Sequence, residues 1–359
     1  MLRVLYDGWP LVYQPESPAA LHLLALLENT PGEVEPVVAL PSQPPGWLPE
    51  RAQVHILQVG RGIPARLRWE QRSLLEIFKS VGASLLHLAT PNPPLFGPLA
   101  VVVSPTVDAV SDRHGRLAGR LREALSAGGM ARLRGLVWPA DLPAPRTDLT
   151  VFSLPPVIPA VFQPGVSQAV QAGSGPDLPE TFVLYHGPQS ETALRRLLQA
   201  WTWAAGPVGQ YYPLLLAGLE DSGRQVLKRL GVEYGVSDTV RALEPLSPNQ
   251  LAHIYRACAA LFHPAPISPW GGSVRCALAC GRPVVALEDS LTDALVGPAG
   301  YLVPAGHARS QGAALITVIV EQVVSEQLSQ AARQRSAAWE TAGFPRALLA
   351  AYQQVIYSP

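Results

Sequence analysis

Charge is scarce in this sequence: Asp, Glu, Lys and Arg make up 15% of 359 residues, against roughly a quarter in typical soluble proteins. The 27 basic and 27 acidic residues cancel, so no global field draws the chain to nucleic acid or to an anionic membrane, and any such contact rests on a local patch. Lysine is confined to Lys79 and Lys228; nearly all basic residues are arginine. Cysteine is limited to Cys258, Cys276 and Cys280, which offer neither a disulfide framework nor a paired CxxC metal signature. Long apolar runs are missing too. The stretch "AALITVIV" falls well short of the ~18 residues that span a bilayer, and the opening "MLRVLYDGWPLVY" lacks a signal-peptide core. The expectation is a cytoplasmic protein, at most membrane-peripheral.

Apolar residues (48%) and proline (37 residues) are plentiful, and the prolines punctuate apolar runs as in a stiffened globule. The length suits two domains of about 150 to 200 residues. "LRVLY", bounded by "DGWP", reads as a buried first strand. "SPAALHLLALLENTPG" reads as a helix with Ser17 as N-cap and proline next. "VEPVVALP", "VHILQV", "SLLHLA" and "AVVVSP" read as further strands, with "RWEQRSLLEIFKSVG" a helix between two of them. The same alternation restarts after the polar stretch "GVSQAVQAGSGPDLPE": strands "TFVLYHG", "YYPLLLAG", "AALFHP" and "PVVALE", helices "ETALRRLLQAWTWAAG", "SGRQVLKRLG", "SPNQLAHIYRAC" and "GGSVRCALACG". Strands alternating with helices predict an α/β chain with two doubly wound parallel sheets. The expected boundaries are 1–165, a linker at 166–180, a second domain at 181–340 and a final helix at 341–359.

"FVLYHGPQSETALRRLLQAW" and "LSPNQLAHIYRACAALFHPAPISPWGGSVRCALACGRPVVALEDSLTDALVGPAGYLVPAG" carry a resemblance to a known family, as does, more loosely, "ARQRSAAWETAGFPRALLAAYQQV". The second half resembles the C-terminal domain of retaining GT-B glycosyltransferases of family 4 (group 1), and "ALACGRPVVA" followed by "GPAGYLV" is the most specific piece. "LRVLYDG" and "LPPVIPAVFQP" look like the family's first strand and its turn ahead of the linker. The resemblance implies two Rossmann-like domains facing across a cleft, with the last helix returning to the first. It also implies a nucleotide-sugar donor, an acceptor, retention of configuration and no metal or other cofactor; no DxD motif is present. The donor-binding positions it implies are Gly187, Ser190, Thr192, Ser268, Gly271, Gly272 and Ser273, which offer neutral hydrogen bonds and backbone N–H groups at helix starts.

The sequence departs from the family where charge is required. Family members place one glutamate before the glycine pair and another eight residues later; here Ser268 and Cys276 stand at those positions. Where the family has an arginine and a lysine for the diphosphate, this chain has Pro188 and Thr192. Two lost charge-assisted hydrogen bonds, at roughly 1.5 to 3 kcal/mol each, cost something like 10² to 10⁴ in leaving-group stabilisation unless replaced. In the first half, Asp108 of "PTVDA" is the one candidate catalytic acid, with Val107 at the family's histidine position.

His186 and His263, both at predicted strand ends, are candidates to stand in, although a histidine there is more often structural. Glu288 and Asp289 follow the strand "PVVAL", where a solvated turn is the plainer reading. Cys276 and Cys280 lie four apart, as core residues on one helix face do. The run "RHGRLAGRLREALSAGGMARLRG" holds Arg113, Arg116, Arg120, Arg122, Arg132 and Arg134. It reads either as a solvated helix face or as a patch for anionic lipid or a phosphorylated acceptor, and without interleaved aromatics it does not suit nucleic acid. An active transferase and a catalytically degenerate binding or partner subunit both remain open; an epimerase of the same fold lacks evident acid/base carboxylates.

Overall fold

The computed structural model describes residues 1–97, 100–106, 117–163 and 177–357. Two compact units emerge. Unit 1 comprises Met1–Pro159, Ser268–Gly272 and Glu340–Pro359; unit 2 comprises Ala160–Ile267 and Ser273–Trp339.

Unit 1 runs β1 (Leu2–Asp7), α1 (Trp9–Tyr13), α2 (Pro18–Glu28), β2 (Val34–Leu40), β3 (Gln53–Ile56), α3 (Ile63–Arg68), α4 (Leu74–Ser80), β4 (Leu85–Leu88), β5 (Val101–Val103), α5 (Leu117–Met130), β6 (Gly135–Pro139) and β7 (Val151–Leu154). The strands form one parallel sheet in the order β3-β2-β1-β4-β5-β6-β7, and those at its centre are largely apolar and buried, as strands of a parallel sheet covered on both faces are. Ser17 caps α2 as the sequence predicts, accepting from Ala20 N at 3.2 Å. A π turn, Trp69–Ser73, joins α3 to α4.

Unit 2 runs β8 (Val183–His186), α6 (Glu191–Val208), β9 (Leu214–Ala217), α7 (Asp221–Glu233), β10 (Val240–Ala242), α8 (Pro248–Ala257), β11 (Ala260–His263), α9 (Ser273–Ala279), β12 (Val284–Leu287), α10 (Ser290–Val296), β13 (Gly300–Val303), α11 (Ala308–Val320) and α12 (Gln322–Ala337). Its parallel sheet has the order β10-β9-β8-β11-β12-β13. Around it pack Trp201 and Leu198 of α6, Leu230 of α7, and Leu315 and Val318 of α11, all fully buried. Ser247 and Gln250 close a reciprocal capping box on α8.

The last helix, α13 (Phe344–Tyr357), belongs to unit 1. Tyr352 reaches the sheet through a buried polar chain: its hydroxyl lies 3.0 Å from that of Tyr6 and 2.6 Å from His87 Nδ1, and His87 Nε2 lies 2.7 Å from Ser104 Oγ. Burial pushes Tyr6 up to about 12 and holds His87 down at about 3. Ser268–Gly272, which the sequence reading gives to the second domain, also belongs to unit 1. There Trp270 is fully buried, donates Nε1–H to the Val137 carbonyl at 2.9 Å and stacks on His22 with centroids 4.6 Å apart.

Candidate functional site

In a doubly wound sheet, ligands settle beyond the carboxyl ends of the strands where the strand order reverses, because adjacent connections there leave in opposite directions. That reversal falls between β1 and β4 in unit 1 and between β8 and β11 in unit 2.

At the unit 1 reversal, charged side chains fill the space. Asp7, the last residue of β1, accepts from Arg66 Nη2 at 2.7 Å and Trp69 Nε1 at 2.8 Å. Glu70, on the π turn, accepts from Arg66 Nε at 2.7 Å and Arg122 Nη2 at 2.7 Å. Arg66, Glu70 and Arg122 are each at most 4% exposed. Arg122 is therefore buried, whereas the sequence reading places it on a solvated helix face or in an exposed basic patch. The side chain lies on the inner face of α5, satisfied by a glutamate 52 residues earlier. Of the other patch arginines, Arg120, Arg132 and Arg134 are exposed, with Arg132 Nη1 donating to the Leu95 carbonyl at 2.5 Å. Arg113, Arg116 and the candidate Asp108, with Val107, lie outside the described residues.

At the unit 2 reversal, both flanking strands end in histidine. His186 closes β8 and His263 closes β11; they are 5% and 4% exposed. His186 Nδ1 lies 2.7 Å from the Tyr255 hydroxyl. His263 Nδ1 lies 3.2 Å from Ser273 Oγ, and its Nε2 lies 3.3 Å from the Pro266 carbonyl. Burial, the largest influence, holds His263 below the usual imidazole range. Gly187 has the His263 ring beside it: a Cβ there would sit 3.0 Å from His263 Cε1 and from the Tyr185 ring. Ser190 is the N-cap of α6, accepting from Ala193 N at 3.2 Å, and Thr192 is exposed on the first turn.

The predicted residues are divided between the two units, with Gly272 of unit 1 directly followed in the chain by Ser273 of unit 2. Gly187, Ser190, Thr192 and Ser273 gather with the two histidines at the strand ends of unit 2. Ser268, Gly271 and Gly272 fall in unit 1. Gly271 has φ +60°, and a Cβ would meet the Pro18 carbonyl at 2.3 Å and His22 N at 2.6 Å, so packing against α2 by itself demands glycine. Ser268 Oγ donates to the Trp270 carbonyl at 2.7 Å within its own turn. Cys276 is fully buried, and burial pushes its thiol well above the usual range. Neither position where the family carries a glutamate holds a negative charge. Asp289 caps α10, accepting from Leu291 N and Thr292 N.

Residues 179–335 match the family described as Glycosyl transferases group 1. Over that segment the chain is similar to group 1 glycosyltransferases. The D-inositol 3-phosphate glycosyltransferase of Mycolicibacterium smegmatis is 32% identical over 205 residues, 55% of this chain; the match spans 45% of that relative, under half its length. Sucrose-phosphate synthase from Thermosynechococcus elongatus superposes with a TM-score of 0.71 at 16% identity, covering 100% of both chains. Anabaena HepE in complex with UDP and glucose gives 0.65 at 15% identity, covering 99% of this chain and 100% of that one. The chain has the GT-B fold.

Two residues of unit 2 escape a reading of the sequence. Tyr255 bridges toward both histidines, yet in "LAHIYRAC" it reads only as one more apolar position. Arg275 is fully buried, with its guanidinium 5.5 Å from the Trp339 ring centroid. The one signal for it is a lone cation in the small, apolar run "SVRCALAC".

Proposed function

We propose that the chain transfers a sugar from a nucleotide-sugar donor to a hydroxyl acceptor, with retention of configuration and without a metal. The observation that carries this reading is the reversal point of unit 2, where two strand ends present a set of hydrogen-bonding side chains rather than an apolar plug. Gly187, Ser190, Thr192 and Ser273 are the donor-side residues in this proposal, contributing hydroxyls and backbone N–H groups. The UDP and glucose of the HepE structure make UDP-glucose the first donor to try. The name of the Mycolicibacterium relative, together with the exposed Arg120, Arg132 and Arg134, favours a phosphorylated polyol as acceptor, or an acceptor held at an anionic membrane surface.

A second reading, a binding subunit that has lost catalysis, draws support from the uncharged Ser268 and Cys276. Thermal melting against UDP-, GDP- and ADP-sugars separates the two. A ligand at 100 times its Kd adds about 2.7 kcal/mol to stability, and a bound donor that is hydrolysed or transferred supports the enzyme. Binding without turnover supports the subunit, and no melting shift together with no donor hydrolysis sinks the transferase reading.

A further inference from the structure

The two imidazoles at the reversal point of unit 2 are tied together. Besides its bond to His186, the Tyr255 hydroxyl hydrogen-bonds Ser273, which bonds His263. The result is a chain His186–Tyr255–Ser273–His263 whose members are all at most 5% exposed. The His263 ring also finds carbonyl acceptors at Pro266 and His186, and a carbonyl can only accept.

Among the described residues, the side chains named against the pair are neutral, and α9 also carries the buried guanidinium of Arg275. Tyr185 of β8 stacks on His263 at 6.4 Å, Tyr255 approaches from α8, and Ser273 and Cys276 lie on α9. Burial raises both the Tyr255 hydroxyl and the Cys276 thiol well above their usual ranges, so both are neutral at neutral pH. The pair also stands where an incoming group would arrive, because Gly187, with no side chain, leaves the His263 ring against the turn between β8 and α6.

We infer that His186 and His263 are a proton-accepting pair for an anionic ligand: on binding of a diphosphate, one imidazole takes up a proton from solvent and pairs with it as a cation. This rests on the nucleotide-sugar reading above. A nearby negative charge favours the protonated imidazole and opposes the effect of burial. The ligand thereby creates the positive charge that Pro188 and Thr192 do not provide.

The test is calorimetric titration of UDP-glucose, GDP-mannose and ADP-glucose into the full chain in buffers of different ionisation heat. These diphosphate diesters have no phosphate that titrates near neutrality, so proton uptake reports the protein. The wild type is expected to take up a proton fraction approaching one on binding. Its affinity should rise by up to about tenfold per pH unit as pH falls through the imidazole range, roughly 8 to 5. His186→Asn and His263→Asn keep a hydrogen-bonding side chain and should each reduce the uptake, with the double variant near zero. Binding by the wild type without proton exchange, which needs no variant to fold, overturns the inference and leaves the donor reading standing. Undiminished uptake by the double variant does the same. Failure of all three nucleotide sugars to bind removes the donor reading and this inference with it.

Discussion

At the residue scale, burial decides what each polar group can do. His87 is fully enclosed and held at about 3, so it stays neutral when folded but protonates below about 6.5 once the chain unfolds. The unfolded state then binds more protons, and stability falls as pH drops from about 6.5 toward 3. Between pH 7 and 5 this one group should remove about 2 kcal/mol, at 1.4 kcal/mol per pH unit below its free value. Urea denaturation at the two pH values checks it: His87→Gln is less stable overall but should show a shallower acid slope. Gly271 is limited by space and by backbone at once. With φ +60° and a carbonyl oxygen 2.3 Å from any Cβ, Gly271→Ala should cost about 2 to 4 kcal/mol, measured as a lowered Tm with no ligand present.

At the scale of elements, the π turn and the helix caps hold the strand ends in order. Glu70 sits on that turn and binds two buried guanidinium groups. Glu70→Gln would leave them facing a neutral amide, and the expected loss is about 3 to 5 kcal/mol in chemical denaturation. Ser190→Ala removes the cap of α6 and should cost about 1 kcal/mol, while Ser190→Asp should retain most of it. These elements differ in how far they can be read from sequence. β1, β2, β4, β8, β9, β11 and β12 announce themselves as apolar runs between turn residues. β10 and β13 do not: "VRA" has a charge at its centre, "GYLV" buries only Val303, and each lies on a sheet edge where little burial is required. Arg122 was illegible for a different reason. Nothing in "GRLREAL" separates an arginine facing solvent from one facing a glutamate 52 residues away.

At the scale of the molecule, the alternation of strands and helices is enough to call two doubly wound sheets, and the residues around "ALACGRPVVA" are enough to call the likeness to group 1 glycosyltransferases. What the sequence withholds is the assembly of the candidate site. His186 and His263 are 77 positions apart in number, and only the crossover that makes β8 and β11 neighbours brings them together. Nor does local pattern reveal that "SPWGG" packs in unit 1, since the burial of Trp270 depends on Val137, His22 and Phe344.

The segmented make-up of unit 1 also bears on how the protein comes into being. Tyr6 and His87 are synthesised early, but the hydroxyl that joins them belongs to Tyr352, which follows His87 by 265 positions. The first sheet therefore waits for the last helix, and during elongation its buried histidine and tyrosine lack their partner. A chain truncated before α13 should be open to protease in its first 159 residues, while a chain that includes α13 should be resistant.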